Sequence, residues 1–284
     1  MPPKTAKSKQ LKSDANESSR RAPDAKLDAY FSAALGERWL TLKPALLEPT
    51  THMTLGPEMG YTKEYYLDPA SVHSASLLPI EKYDCVLDMC AAPGGKSLVL
   101  AKRLGGMGKL VCNERSSARR ARLHRVLNDH LPTEWRQTIE ITNHDATKWG
   151  LHELGVYDKI LLDAPCSSER HVLHSLEALA EWSPSKTKRM AAQQHAMLCA
   201  ALDAVRVGGL ILYSTCSISS AENQDCIEKL IKKRPGQIEV VDLQGSVEGG
   251  EPCTYGHQFW PDVTGTGPIY CCLLKTISDE KSKP

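Results

Sequence analysis

Two cysteines fifty positions apart each close a short apolar run: Ile160-Leu161-Leu162-Asp163-Ala164-Pro165-Cys166 and Leu210-Ile211-Leu212-Tyr213-Ser214-Thr215-Cys216-Ser217. A thiolate is a strong nucleophile near neutral pH, and two thiols in matched settings suggest paired thiol chemistry. Both runs read as buried parallel strands, and ligands in open α/β sheets sit at the carboxyl ends of such strands, where these thiols emerge. A third run, Val86-Leu87-Asp88-Met89-Cys90, passes into Ala91-Ala92-Pro93-Gly94-Gly95-Lys96-Ser97 and an apolar helix. That turn has little side chain and a helix amino terminus behind it, which suits a closely held charged cofactor. It lacks the Gly-x-Gly-x-x-Gly spacing and carries Pro93, which disfavours a nicotinamide site.

These residues need a scaffold, and the pattern from Tyr83 onward supplies one. Strands are predicted at Cys85–Cys90, Lys109–Glu114, Ile139–His144, Lys159–Asp163 and Leu210–Thr215, alternating with helices from Lys96, through Leu127, and near Lys186–Val205. Such alternation predicts an α/β fold with a doubly wound, mostly parallel sheet. Ser219 and Glu222 have capping-box spacing before a helix to Lys233, and Ile238–Leu243 and Ile269–Leu274 bring the strands to seven. Residues 245–268, rich in Gly, Pro and Thr, read as one long loop, with Tyr255, Phe259 and Trp260 as a satellite cluster in preference to a substrate wall. Upstream, Leu27, Tyr30, Phe31, Ala34 and Leu35 have helical spacing and Pro44 ends the pattern, which predicts a helical preface capping the sheet edge. The chain therefore divides into a basic tail (1–24), a helical preface and substrate-side segment (25–82) and the main domain (83–278).

Composition narrows the class. The 284 residues carry 35 Lys and Arg against 34 Asp and Glu, but residues 1–22 hold six basic residues against Asp14 and Glu17. That tail reads as disordered and is open to three readings: an RNA-grasping arm, a nuclear signal or a transit peptide. No apolar run reaches membrane-spanning length. The ten cysteines are scattered through apolar runs, with no secretory signal and no Cys-x-x-Cys spacing for zinc, so Cys85, Cys112, Cys199, Cys226, Cys271 and Cys272 read as small buried hydrophobes in a reducing compartment. Neither a metal nor a membrane is expected.

Asp-Met-Cys-Ala-Ala-Pro-Gly-Gly-Lys (88–96), Asp-Ala-Pro-Cys (163–166) and Ser-Thr-Cys-Ser (214–217), in that order, make the chain resemble the Nop/Sun (RsmB-like) family of RNA (cytosine-5) methyltransferases over roughly Tyr61–Lys275. Within 119–132, 149–174 and 221–227 the likeness is to the short, mitochondrial-type members. The resemblance implies a class I, Rossmann-like S-adenosylmethionine-dependent methyltransferase fold, S-adenosylmethionine as cofactor, and an rRNA or tRNA substrate. It implies Cys216 as nucleophile, Cys166 as the residue that aids release, Asp163 on the base and Lys96 near it. For the cofactor it implies the turn Cys90, Ala91, Ala92, Pro93, Gly94, Gly95 and Lys96, with Arg119, Asp145 and Ala146 beside the adenosine and Asp163 close by. Glu114, at the end of the second strand, sits where a carboxylate can accept both ribose hydroxyls, or else is an ordinary solvated acid. Arg170 is a phosphate contact by the same likeness, whereas His171 and His174 stay outside the catalytic set.

Chemistry fits that resemblance. Cytosine C5 is a poor nucleophile until a thiolate adds at C6, and the adduct must then lose the C5 proton and expel the thiolate, which gives a second group work. Such a mechanism requires an unstacked cytidine, met most readily in single-stranded loops. Helix residues 119–125 and 186–189 offer positive charge for flanking phosphates. RNA selection falls to the tail, to residues 27–66 or to a separate targeting protein. The competing expectations are a ribosome-assembly or RNA-binding factor of the same fold without turnover, and DNA cytosine methylation, disfavoured because Ser167 rather than Gln follows Cys166. For the compartment, the mitochondrion is expected ahead of cytoplasm or nucleus.

Overall fold

The computed structural model describes residues 24–243 and 248–278; all of the expected basic tail except Asp24 lies outside them. The chain opens with α1 (residues 24–35) and α2 (Arg38–Leu47), a hairpin of β1 (Met53–Leu55) and β2 (Tyr65–Leu67), and α3 (Pro69–Ser76). There follow β3 (Cys85–Asp88), α4 (Gly95–Leu104), β4 (Lys109–Asn113), α5 (Ser117–His130), α6 (Thr133–Arg136), β5 (Ile139–Thr142), β6 (Tyr157–Asp163), α7 (Glu169–His174), α8 (Leu176–Glu181), α9 (Pro184–Ala204) and β7 (Val205–Thr215). The remainder is α10 (Gln224–Lys233), β8 (Ile238–Val241), β9 (Glu251–Pro252), β10 (His257–Phe259), α11 (Pro261–Thr264) and β11 (Ile269–Thr276).

The main sheet runs β5-β4-β3-β6-β7-β11-β10-β9, with β8 also on β11. Its first five strands are parallel and β11 is antiparallel to β7. Chain order reverses at β3, with β4 and β5 to one side and β6 and β7 to the other, so the crevice at the carboxyl ends of these strands is the natural ligand position. Helices cover both faces, which is why β6 and β7 read as unbroken apolar runs. Leu161 and Leu212 point into one core, and Ile160, Leu162, Ile211 and Tyr213 into the other, all with no exposed surface. This is the class I methyltransferase architecture.

Four sequence expectations need correction. Among the described residues the sheet has nine strands rather than seven, because β9 and β10 lie within 245–268: Gly256, at φ +75°, turns one into the other, and His257–Phe259 pairs with Ile269–Cys271. Strands of two and three residues are too short to print a period. Tyr255, Phe259 and Trp260 accordingly join three different apolar clusters instead of forming one of their own. The preface is two helices broken at Gly36 (φ +60°), and Pro44 lies inside α2, where the carbonyl it leaves unpaired belongs to the exposed Leu40. Its apolar face is spent elsewhere than on the sheet edge, since Leu27, Phe31, Trp39, Leu42 and Leu46 bury against Val172, Leu173, Leu179, Trp182 and Ile218, which props the loops after both cysteines; it meets the edge strand β9 only through the polar pairing of Arg38 with Glu251. Finally, Ser219 makes no capping bond with its side chain, and Glu222 turns inward, fully buried.

Candidate active site

The carboxyl ends of β6 and β7 bring the two thiols together. Cys166 Sγ and Cys216 Sγ are 2.8 Å apart, and the Ser168 hydroxyl lies 3.3 Å from the first and 3.1 Å from the second. Ser168 holds φ +54°, a left-handed conformation uncommon outside glycine, and thereby points its hydroxyl back at both sulfurs. The hydrogen bond from Cys166 pulls the Cys216 thiol below its ordinary value against the effect of desolvation, with Ser168 assisting. The same bond, together with burial, pushes Cys166 well up. One proton is thus shared unequally: Cys216 becomes thiolate first while Cys166 keeps its hydrogen. Cys216 is exposed, whereas Cys166 is only partly so, and all ten cysteines are free thiols.

Cys216 opens onto a cavity of about 620 Å³ whose wall also includes Lys96, Asp163, Ser71, His52, His171 and His174. Lys96 Nζ sits 2.7 Å from Asp163 Oδ2 and 3.4 Å from Ser71 Oγ, and Asp163 Oδ1 accepts from the Ser214 hydroxyl at 2.8 Å. Burial alone lowers the pKa of an ammonium, but the Asp163 carboxylate overrides it, so Lys96 is held above its ordinary value and stays charged. Asp163 retains lone pairs on both oxygens for a ligand. Arg170 also lines this wall, and its guanidinium donates to the carbonyls of Glu48 and Ala45 and approaches the Thr50 hydroxyl, which makes it a strut between α7 and the end of α2.

A second cavity, of about 440 Å³, lies at the ends of β3, β4 and β5 and is lined by Met89, Cys90, Glu114, Arg119, Asp145, Ala146, Pro165 and Met197 among others. Ala164 faces the first cavity and Pro165 the second, so the segment leading to Cys166 forms part of the wall between them. Glu114 is buried; its Oε1 accepts from the Ser116 N–H at 2.7 Å and its Oε2 lies 3.3 Å from Arg119. The Arg119 guanidinium also donates to the Ala92 carbonyl at 2.7 Å. Asp145 is held below its ordinary value, first by the Thr147 hydroxyl and then by the Thr147 N–H and Arg115. Two carboxylates beside Met89, Ala146 and Met197 form a donor-hungry edge next to an apolar slot, which fits the ribose hydroxyls, amine and ring of an adenosyl group.

The sequence-predicted residues therefore divide between two chambers. Cys216, Asp163 and Lys96 face the first, with Cys166 beside Cys216; Cys90, Glu114, Arg119, Asp145 and Ala146 face the second. Asp163, expected against the cofactor as well, lines only the first. Within the turn, Ala91, Ala92, Gly94 and Gly95 are buried and Pro93 is exposed. The two glycines make room for the protein itself: a Cβ on Gly95 falls 2.7 Å from Leu67 Cδ1, and one on Gly94, at φ +119°, falls 3.0 Å from Val126. Sequence reasoning missed His52, Ser71, Ser168 and Ser214. Of these, Ser168 and Ser214 stand two residues from a cysteine, but only the backbone turn reveals where their hydroxyls point.

Among the described residues no cluster of His, Cys, Asp and Glu is arranged to hold a metal ion, and no helix is long and apolar enough to cross a membrane. The sequence profile described as 16S rRNA methyltransferase RsmB/F matches residues 75–275. A mitochondrial tRNA (cytosine(34)-C(5))-methyltransferase of Danio rerio is 37% identical over 204 residues, covering 69% of this chain and 54% of the relative. The 5-cytosine rRNA methyltransferase NSUN4 of Bos taurus is 37% identical over 232 residues, covering 76% and 60% respectively. The chain thus spans little more than half the length of these relatives. Among solved structures, NSun6 from Pyrococcus horikoshii with SFG superposes with a TM-score of 0.66 at 26% identity, covering 76% of this chain and 54% of that one. With the three motifs at the ends of β3, β6 and β7 and the profile covering most of the domain, the chain belongs to the RsmB/F methyltransferase family.

Proposed function

We propose that this protein transfers a methyl group from S-adenosylmethionine to C5 of an RNA cytidine through a covalent adduct between Cys216 and C6. The observation that carries the reading is the pair of sulfurs 2.8 Å apart on the wall of a chamber that also holds Lys96 and Asp163. Methylation of an exocyclic amine needs no thiol, whereas methylation at C5 needs one to add and another group to help expel it. In this scheme the lowered pKa of Cys216 supplies the attacking thiolate. Asp163, anchored by Lys96 and Ser214, holds the N3–N4 edge of the base and favours the ring that accepts attack. Cys166, with its pKa raised, serves at the elimination stage, when the C5 proton leaves and the Cys216–C6 bond breaks.

S-adenosylmethionine supplies the electrophilic methyl group, and the Glu114–Asp145 chamber is its proposed site, with Glu114 on the ribose hydroxyls and Asp145 on the adenine amine. The relatives named for rRNA and for tRNA cytosine methylation, and the NSun6 structure with SFG, support the reaction and its cofactor, and the chamber's lining supports the residue roles. Thr50, His52, Asp68 and Ser71 border the base-side chamber, so residues 25–82 are the proposed RNA-selecting segment, to which a separate targeting protein would add. The proposed compartment is the mitochondrion, as for the Danio rerio relative. The test is to incubate the protein with methyl-labelled S-adenosylmethionine and cellular RNA, digest to nucleosides and identify the labelled one. Label in 5-methylcytidine, lost with Cys216→Ala, is the expected outcome; label in another nucleoside, or none from a protein that binds the cofactor, contradicts the proposal.

A further inference from the structure

Behind the two cysteines lies a buried acid pair that this chemistry leaves unused. Glu169, Glu222, Ser217 and Gln194 have no exposed surface, and Ser167 has almost none. Ser167 directly follows Cys166, and Ser217 directly follows Cys216. The Ser167 hydroxyl contacts Oε1 of both Glu169 and Glu222 and lies 3.1 Å from Ser217 Oγ. Ser217 Oγ in turn lies 3.2 Å from Glu222 Oε1 and 3.5 Å from Glu169 Oε1. The outer oxygens cross-brace the loops. Glu169, from the Cys166 side, accepts from the Ile218 N–H at 3.1 Å; Glu222, from the Cys216 side, accepts from the Ser167 N–H at 3.0 Å and from the Gln194 amide at 2.7 Å. Gln194 also donates to the Pro165 carbonyl at 2.8 Å.

A proton count constrains the centre of this cluster. Each serine brings one hydroxyl hydrogen, and that of Ser167 cannot serve both carboxyls at once. Two ionised carboxylates so close and so dry repel one another, and one additional proton removes the repulsion and supplies the missing donor. We propose that Glu169 and Glu222 are positioning residues: sharing one proton, the pair ties Ser167 to Ser217 and so holds Cys166 in hydrogen-bond contact with Cys216. This rests on the reading of the two thiols as a reactive pair. The groups facing the Cys216 sulfur are Cys166, Ser168, Lys96, Asp163 and, from behind, Glu169. The cluster's core side meets the Tyr213 hydroxyl, which donates to the Glu222 carbonyl, and Cys226, whose thiol faces Gln194.

The test is alkylation of Cys216 by iodoacetamide as a function of pH, with the modified residue located by mass spectrometry and folding checked by thermal melting, in Glu169→Ala, Glu169→Gln, Ser217→Ala and Cys166→Ala. Glu169→Ala and Ser217→Ala should move the Cys216 midpoint to higher pH, toward that of Cys166→Ala, and slow its alkylation at neutral pH several-fold. Glu169→Gln, which keeps an acceptor for Ile218 and a donor for Ser167, should restore the wild-type profile. Combining Glu169→Ala with Cys166→Ala should shift the midpoint no further than Cys166→Ala alone. Ser217→Ala leaves both carboxyls in place, so a shift in that variant reports the lost clamp and not a removed charge. Folded Glu169→Ala and Ser217→Ala proteins with a wild-type midpoint, or an equal shift in the Cys166→Ala background, overturn the inference; if Glu169→Ala does not fold, Ser217→Ala decides it. No RNA enters the assay, so this inference and the proposed methyl transfer can fail separately.

Discussion

Cys216 faces the proposed base-side chamber with Cys166 beside it, and their removal should produce opposite failures. Cys216→Ala should form no RNA adduct and lose methyl transfer by about 10⁴-fold or more, the scale for deleting a covalent nucleophile. Cys166→Ala should keep the attack and lose the release. The two chambers separate a second pair of effects. Glu114→Ala should weaken S-adenosylmethionine binding by roughly 10- to 100-fold, as loss of hydrogen bonds to a charged group predicts, whereas Asp163→Asn should leave that binding nearly unchanged and abolish methylation; calorimetry on both variants checks the division. At this scale the sequence was informative wherever residue type and strand end coincide, as at Cys166, Cys216, Asp163, Lys96 and Glu114. It was silent on Ser168, and it misled at Glu222, because a capping spacing is local whereas the burial of that side chain is decided by contacts with residues fifty positions away.

Elements transmit these positions through close backbone packing. Gly95 opens α4 against β2, and Gly95→Ala places a Cβ 2.7 Å from Leu67. A loss of about 1–3 kcal/mol follows from such overpacking, to be read by urea unfolding. The buried acids make stability depend on pH. Burial raises Asp88, at the end of β3, from 3.8 to about 7 despite the Ser97 hydroxyl, and burial together with Glu222 raises Glu169, on α7, from 4.5 to about 7. A carboxyl raised on folding contributes fully below its unfolded value and loses that contribution as pH climbs through the folded one. The melting temperature should therefore fall between about pH 4 and pH 7, and Glu169→Gln, having nothing to titrate, should remove its share and leave that of Asp88. The parallel strands and their helices were legible because period and apolar runs extend over many residues. β9, β10 and the break at Gly36 were not, since each depends on one glycine turn and on pairing with distant chain.

Across the whole molecule, the preface helices, the hairpin with α3, and the sheet converge on one crevice, with the exposed arginines of α5 near the proposed cofactor side and Lys188 and Arg189 on α9. A base must leave its stack to reach a thiol set in a chamber wall, so an unpaired cytidine should be methylated and the same cytidine in a full duplex should resist; a paired and an unpaired version of one RNA, compared in the labelling assay, checks this. The family and the fold were legible from three motifs in order, but the division into two chambers was not, because Ala164 and Pro165 face opposite ways although they are adjacent in the chain. The most direct measurement is denaturing-gel analysis of Cys166→Ala after incubation with total cellular RNA and S-adenosylmethionine, followed by sequencing of the trapped RNA. A retarded band that disappears in the Cys166→Ala, Cys216→Ala double variant, with the RNA joined at a single cytidine, is the predicted result. No band from folded, cofactor-binding protein, or a band that persists without Cys216, would contradict covalent cytosine chemistry at this site.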